Sequence, residues 1–192
     1  MIRASAGALC LGFVLCSCGP AALEPDPGDI QIARRAALTY DLRLHQEILD
    51  RLEREPPATV LRLYRNRAQA MAEEVSDEFG VELRRTAFRV RNRTNVADDW
   101  EYEKLEALEF SIEAGLDPAL LEFTEIVRDN SGQAQFRWIR PLSMTQECLV
   151  CHGEQIPVAV LDILAVDYPD DEATGYFEYA LSGAYSVTRR IE

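Results

Sequence analysis

The sequence predicts an α+β fold in which helices come first and an antiparallel sheet follows. Three observations carry this. Two long segments near the start repeat apolar residues at helical spacing. Shorter segments of strand-forming residues come next, broken by turn residues. Helical stretches are inserted among those strands.

Residues 1–17 read as an export signal. Arg3 precedes an apolar run from Ala4 to Leu15, too short to serve as a permanent membrane anchor. Leu15-Cys16-Ser17-Cys18 resembles a bacterial lipobox, which implies cleavage before Cys18 and a lipid on its thiol. An ordinary signal peptide cut nearby is the alternative. Either way the expected location is periplasmic, with membrane anchorage through Cys18 in the lipoprotein reading. Residues 18–29 read as a linker, with Glu24-Pro25-Asp26-Pro27-Gly28-Asp29 as its end, and residues 30–192 as one domain.

The first helix is expected over 30–54, with Leu38, Leu42, His45, Leu49 and Leu52 as its apolar stripe. Pro56-Pro57 breaks it, and a second helix follows over 58–79. Its inward face is Val60, Tyr64, Ala68, Met71, Val75 and Phe79, and Gly80 ends it. A strand is expected over 81–90, a polar loop over 91–99 and a third helix over 100–114. Strands over 120–127 and 135–142 flank the turn Asp129-Asn130-Ser131-Gly132. A short helix over 158–166 and a last strand over 182–190 complete the pattern.

The formal net charge is −13. Such an acidic surface argues against nucleic acid as a partner and against unaided binding to anionic lipid.

Cys148-Leu149-Val150-Cys151-His152 has the Cys-x-x-Cys-His spacing of covalent haem c attachment. Two thiols one helical turn apart can reach one edge of a porphyrin as thioethers. The next imidazole then lies over the metal. One covalent haem c, with His152 as an iron ligand, is the expectation. Once the signal is removed, Cys148 and Cys151 are the only thiols besides Cys18, so no disulfide framework is available. A redox-active Cys148–Cys151 disulfide and a zinc site are the competing readings. Zinc is poorly served, because His45 is the only other histidine.

Several further segments bear a family resemblance. They are Val81 to Thr86, Val90 to Asn95, Asp99 to Glu101, Arg140 to Leu142 and Cys148 to Gly153. Tyr168 to Asp171, Ala173 to Tyr176 and Gly183 to Val187 continue the series. In this order the chain resembles the PAS-like c-type haem family, found alone and as the extracytoplasmic sensor of bacterial histidine kinases. The resemblance implies a PAS-like antiparallel sheet with flanking N-terminal helices, haem c held in the fold, and His152 as proximal ligand. It also implies a cysteine in the second helix as the opposite ligand. Here Tyr64 stands in that place, within Leu61 to Ala68.

Three arrangements remain for the opposite side of the iron. Tyr64 could ligate as a phenolate, which positive charge from Arg62, Arg65 and Arg67 would favour, although helical directions turn Arg62 and Arg65 away from its stripe. His45 could ligate instead, or the position is open or taken by water. Arg84, Arg85 and Arg91 are candidate partners for haem propionates, with Asn92 and Asn95 as loop-shaping or hydrogen-bonding residues. A redox-active single-haem protein in electron transfer is the first functional expectation. A redox or small-gas sensor acting through a partner protein is the second. A peroxidase-like enzyme is disfavoured, since His45 is the only candidate distal base.

Overall fold

The computed structural model describes residues 23–129 and 131–191. The export signal and Cys18 lie outside the described residues. The chain runs through α1 (Pro27–Leu52), α2 (Pro57–Phe79), β1 (Glu82–Thr86), α3 (Asp99–Glu113), β2 (Phe123–Arg128) and β3 (Ala134–Ser143). It continues through α4 (Leu149–His152), α5 (Val158–Asp167) and β4 (Leu181–Arg190). The strands form one antiparallel sheet in the order β1-β4-β3-β2. This is the α+β, PAS-like arrangement with N-terminal helices that was expected. No helix among the described residues is long and apolar enough to cross a membrane.

The two-residue period of the strands assigns the faces. Leu83, Phe136, Trp138, Tyr185 and Val187 project to one side and pack under α1 and α2. Ile139 and Ala184 project to the other, where Leu105 and Leu108 of α3 cover them. On that second face Arg137 reaches Asp98 (2.7 Å) and the fully buried Glu101 (3.3 Å), while stacking on Trp100 at 4.4 Å. Asp98 and Glu101 also close a capping box at the start of α3, so one carboxylate pair starts the helix and docks it.

α1 begins at Pro27, three residues before the expected start. Asp26 caps it by accepting from the Gly28 amide at 2.6 Å, and proline at the first position is pre-set for a helix. Its buried face also differs from the expected one. Leu38 and Leu42 are 50% and 60% exposed, and the inward face is Ala33, Ala36, Ala37, Tyr40 and Leu44. Small alanines allow α2 to lie close, which rotates the leucines outward. The α2 face is as expected: Val60, Met71 and Val75 are buried, with Tyr64, Ala68 and Phe79 packed against the core. Gly80 ends α2 in the left-handed region at φ 65°, and Ser76 Oγ accepts from the Leu83 amide at 2.9 Å to start β1.

β1 stops at Thr86, four residues short of expectation. There the chain leaves β4, and the Ala87 amide donates to the Asn95 carbonyl at 3.1 Å, closing the 87–95 loop on itself. Gly183 of β4 makes this departure possible. Its φ is 152°, and a Cβ there would lie 2.4 Å from the Thr86 carbonyl oxygen. Gly183→Ala is therefore expected to lower the unfolding free energy by about 1–3 kcal/mol, read from urea denaturation.

Candidate functional site

β3 delivers the Cys-x-x-Cys-His segment. Its pairing with β4 is disturbed by an irregularity between Leu142 and Ser143. Met144 is then held from both sides, donating to the Ala180 carbonyl (2.9 Å) and accepting from the Tyr179 amide (2.8 Å). A 3₁₀ turn over Gln146–Cys148 runs straight into the single turn of α4. The Gly153 amide closes α4 on the Leu149 carbonyl at 2.9 Å, and a Cβ at Gly153 would lie 2.7 Å from that oxygen. The glycine thus lets the chain turn away immediately after His152. Cys148 and Cys151 are both free thiols, half-buried. Burial pushes the Cys151 thiol up, so it is protonated near neutral pH. Among the described residues no three His, Cys, Asp or Glu side chains gather as metal ligands, which leaves the zinc reading without a ligand set.

His152 is oriented by the segment between α5 and β4. Its Nδ1 lies 2.7 Å from the Ala173 carbonyl oxygen, which accepts only and so fixes Nδ1 as the protonated nitrogen. Burial, with the Arg91 charge nearby, pushes the imidazole pKa down to about 4. The ring is therefore neutral at physiological pH. Its Nε2 carries a lone pair with no hydrogen-bond partner among the described residues.

A cleft of about 240 Å³ opens beside His152, between the sheet and α1 and α2. Cys148, His152, Tyr64, His45, Arg85, Arg91 and Asn95 all line it. Four arginines border it (Arg65, Arg85, Arg89, Arg91) against one carboxylate, Asp41. In a chain of net charge −13 this cleft is locally cationic.

A family model described as Tll0287-like matches residues 31–189. The chain belongs to the Tll0287-like family. The resemblance read from the sequence motifs is confirmed by that match, which takes in the motif segments from 81 to 187. Among solved structures, the crystal structure of the cyanobacterial heme-protein Tll0287 is similar, with a TM-score of 0.63 and 19% identity. The match covers 88% of this chain and 98% of that one, and at this identity it shows the fold. None of the curated proteins compared with the chain matches it.

The expected propionate partners part company. Arg84 and Arg85 are neighbours on β1 and so face opposite ways. Arg84 donates to the Thr94 and Val96 carbonyls (2.7 and 2.8 Å) and meets Glu101 at 3.4 Å, away from the cleft. Arg85 lines the cleft, and Tyr40, Tyr185, Cys148 and Asp41 around it favour its charge. Arg91 also lines the cleft, but its fork is taken by Asp171 and the Cys151 carbonyl. Asn92 shapes the loop by accepting from the Thr94 amide at 3.0 Å. The Asn95 carbonyl accepts from Ala87 at the cleft wall.

Of the two candidate opposite ligands, His45 is engaged elsewhere and Tyr64 stays a protonated phenol. His45 Nε2 lies 2.6 Å from Glu147, which precedes Cys148. The Tyr64 hydroxyl is buried with no hydrogen bond of good geometry, and its nearest ionisable neighbours are Glu47 and Arg51 of α1. Burial and Glu47 push it up to about 12. The expectation that flanking arginines would favour a phenolate is thus reversed. Arg65 and Arg67 are drawn off to Asp167 and to Glu47 and Glu74.

Sequence reasoning named the segments that hold Asp171, Ala173 and Tyr185 but gave these residues no role in the site, and it missed Asp41. Tyr185 donates to Asp41 at 2.5 Å, joining β4 to α1 at the back of the cleft. Asp171 two residues before Ala173 is a possible Asx-turn signal, but a backbone carbonyl leaves no trace in sequence. The Tyr64 phenol has a folded-state value above its unfolded value of 10.0, so its stabilising difference is present below that pH. That difference is lost as pH rises through about 12. Ultraviolet titration of the unloaded chain against Tyr64→Phe should show no difference until the pH exceeds that of ordinary tyrosines.

Proposed function

We propose that this chain is a redox-active, single-haem c-type protein that acts as a haem-based sensor through a partner protein. The haem reading rests on one observation: a neutral imidazole, tied at Nδ1 to a backbone carbonyl, keeps Nε2 unpaired beside an attachment motif and a cationic cleft. That is the disposition of a metal-binding histidine. The heme-protein character of the similar cyanobacterial structure supports it. Cys148 and Cys151 would carry the two thioethers, and His152 would ligate through Nε2. Arg85 is the cleft arginine without an ion pair or hydrogen bond among the described residues, since Arg89 is held by the Glu172 and Thr174 carbonyls, and it is the best partner for a propionate. Bound there, haem supplies one-electron redox chemistry and an axial coordination site.

The sensing role rests on the engagement of His45 and the protonated state of Tyr64. With His45 held by Glu147 and Tyr64 kept as a phenol, neither would supply a second ligand to the iron of a bound haem. A small diatomic ligand or peroxide can then compete for it. Electron transfer is the second reading, supported by the acidic surface, which suits a basic redox protein. The export signal and Cys18 lipidation would place either role in the periplasm, at a membrane. No catalytic turnover is proposed, because His45, the only other histidine, is already paired with Glu147.

Expression with the c-type maturation machinery should give protein with one haem mass added, resistant to acid-organic extraction. Cys148→Ser/Cys151→Ser should carry none. The ferrous protein should bind carbon monoxide, and Tyr64→Phe and His45→Ala should leave the ferric spectrum unchanged. Refusal of carbon monoxide would move the assignment to electron transfer.

A further inference from the structure

The segment from Asp170 to Tyr176 crosses over α4 like a strap. It is fastened on both sides. Towards α4, the Gly175 amide donates to the Gly153 carbonyl (3.0 Å) and the Tyr176 amide to the His152 carbonyl (2.9 Å). Towards the loop after β1, the Glu172 amide donates to the Val90 carbonyl at 3.1 Å, and Arg89 donates to the Glu172 and Thr174 carbonyls. Arg89 also stacks on Tyr176 at 4.4 Å.

The tightest fastening lies at the centre. Arg91 and Asp171 form an ion pair at 3.0 Å, with side chains only 9% and 7% exposed. The rest of each group is spent on backbone. Arg91 Nη2 donates to the Cys151 carbonyl at 2.7 Å and approaches the Ala173 carbonyl at 3.5 Å. Asp171 Oδ1 accepts from the Ala173 amide at 2.9 Å. Ala173 is itself buried, and its carbonyl is the one that holds His152 Nδ1. One ion pair therefore touches both ends of the contact that sets the imidazole: the chain just before His152 and the residue whose carbonyl accepts its Nδ1 hydrogen bond.

We infer that Arg91 and Asp171 are positioning residues for His152, fixing the plane and donor strength of its imidazole through Ala173. This rests on the haem reading above. A buried charge pair is an expensive way to hold a loop, since desolvation consumes much of its attraction. The spending of both groups on the backbone around one imidazole gives the pair a specific purpose. Histidine ligands elsewhere depend on their outer hydrogen-bond partners in the same manner. It also explains why Arg91, expected to meet a propionate, is turned to the chain instead.

The test uses full-length holoprotein matured with covalent haem, as wild type, Asp171→Ala, Asp171→Asn and Arg91→Lys. Covalent haem is quantified by mass. The readouts are the ferric electron paramagnetic resonance g-values, which report imidazole orientation, and the reduction midpoint potential. Asp171→Ala is expected to keep its haem but to shift both g-values and potential. Asp171→Asn keeps an oxygen for the Ala173 amide and should return both most of the way to wild type. Wild-type g-values and potential in a haem-loaded Asp171→Ala protein would overturn the inference. If Asp171→Ala does not accumulate, Arg91→Lys decides. It keeps the charge but loses the fork onto the Cys151 and Ala173 carbonyls, so both readouts must move, and their constancy would overturn the inference. Absence of covalent haem in the wild type itself would sink the haem reading, a separate outcome.

Discussion

The alternation of side chains along the central strand β4 is the constraint on which the site depends. β4 pairs with β1 on one side and β3 on the other, so its register fixes theirs. Tyr185 faces the helices and the cleft, and Ala184 and Ser186 face α3. A slip by one residue would send Arg85 to the α3 side and Arg84 to the cleft. The two faces are chemically unlike. One carries Arg137, Glu101 and Asp98 as a closed ionic cluster, and the other carries a cationic hollow. Each face therefore penalises the register that would suit the other.

Most of the fold was legible because its signals are local. Pro56-Pro57 and Gly80 punctuate the helices, and a 3.6-residue stripe identifies the face of α2. The α1 stripe was misread, because leucines outrank alanines in any hydrophobicity reading. Packing chose the alanines for their size, and Leu38 and Leu42 were turned out. The end of β1 was misread as well. Nothing between Val81 and Val90 announces that Gly183, about a hundred residues later, admits Thr86 so closely.

The site was legible where chemistry needs a fixed spacing and illegible where it needs a fold. Cys148, Cys151 and His152 are readable from five consecutive letters. The roles of Arg84, Arg85 and Arg91 were not, since one faces α3, one the cleft and one a backbone strap. Tyr64 was correctly placed on the inner face of its helix, but its ionisation depends on Glu47 of another helix. Composition showed an acidic chain and could not show that its arginines converge on one hollow.

The strap has a consequence for the order in which the molecule assembles. Arg91 meets Asp171 across 80 residues of chain, and Arg89 meets Thr174 across 85. Contacts so distant in sequence must overcome the loop-closure entropy of everything between them. The α1–α2 hairpin and the β2–β3 hairpin need no such closure, because a few residues join their partners. The setting of His152 thus depends on contacts far apart in sequence. In a nascent or partly unfolded chain the Cys-x-x-Cys-His segment would lack the strap that crosses over it.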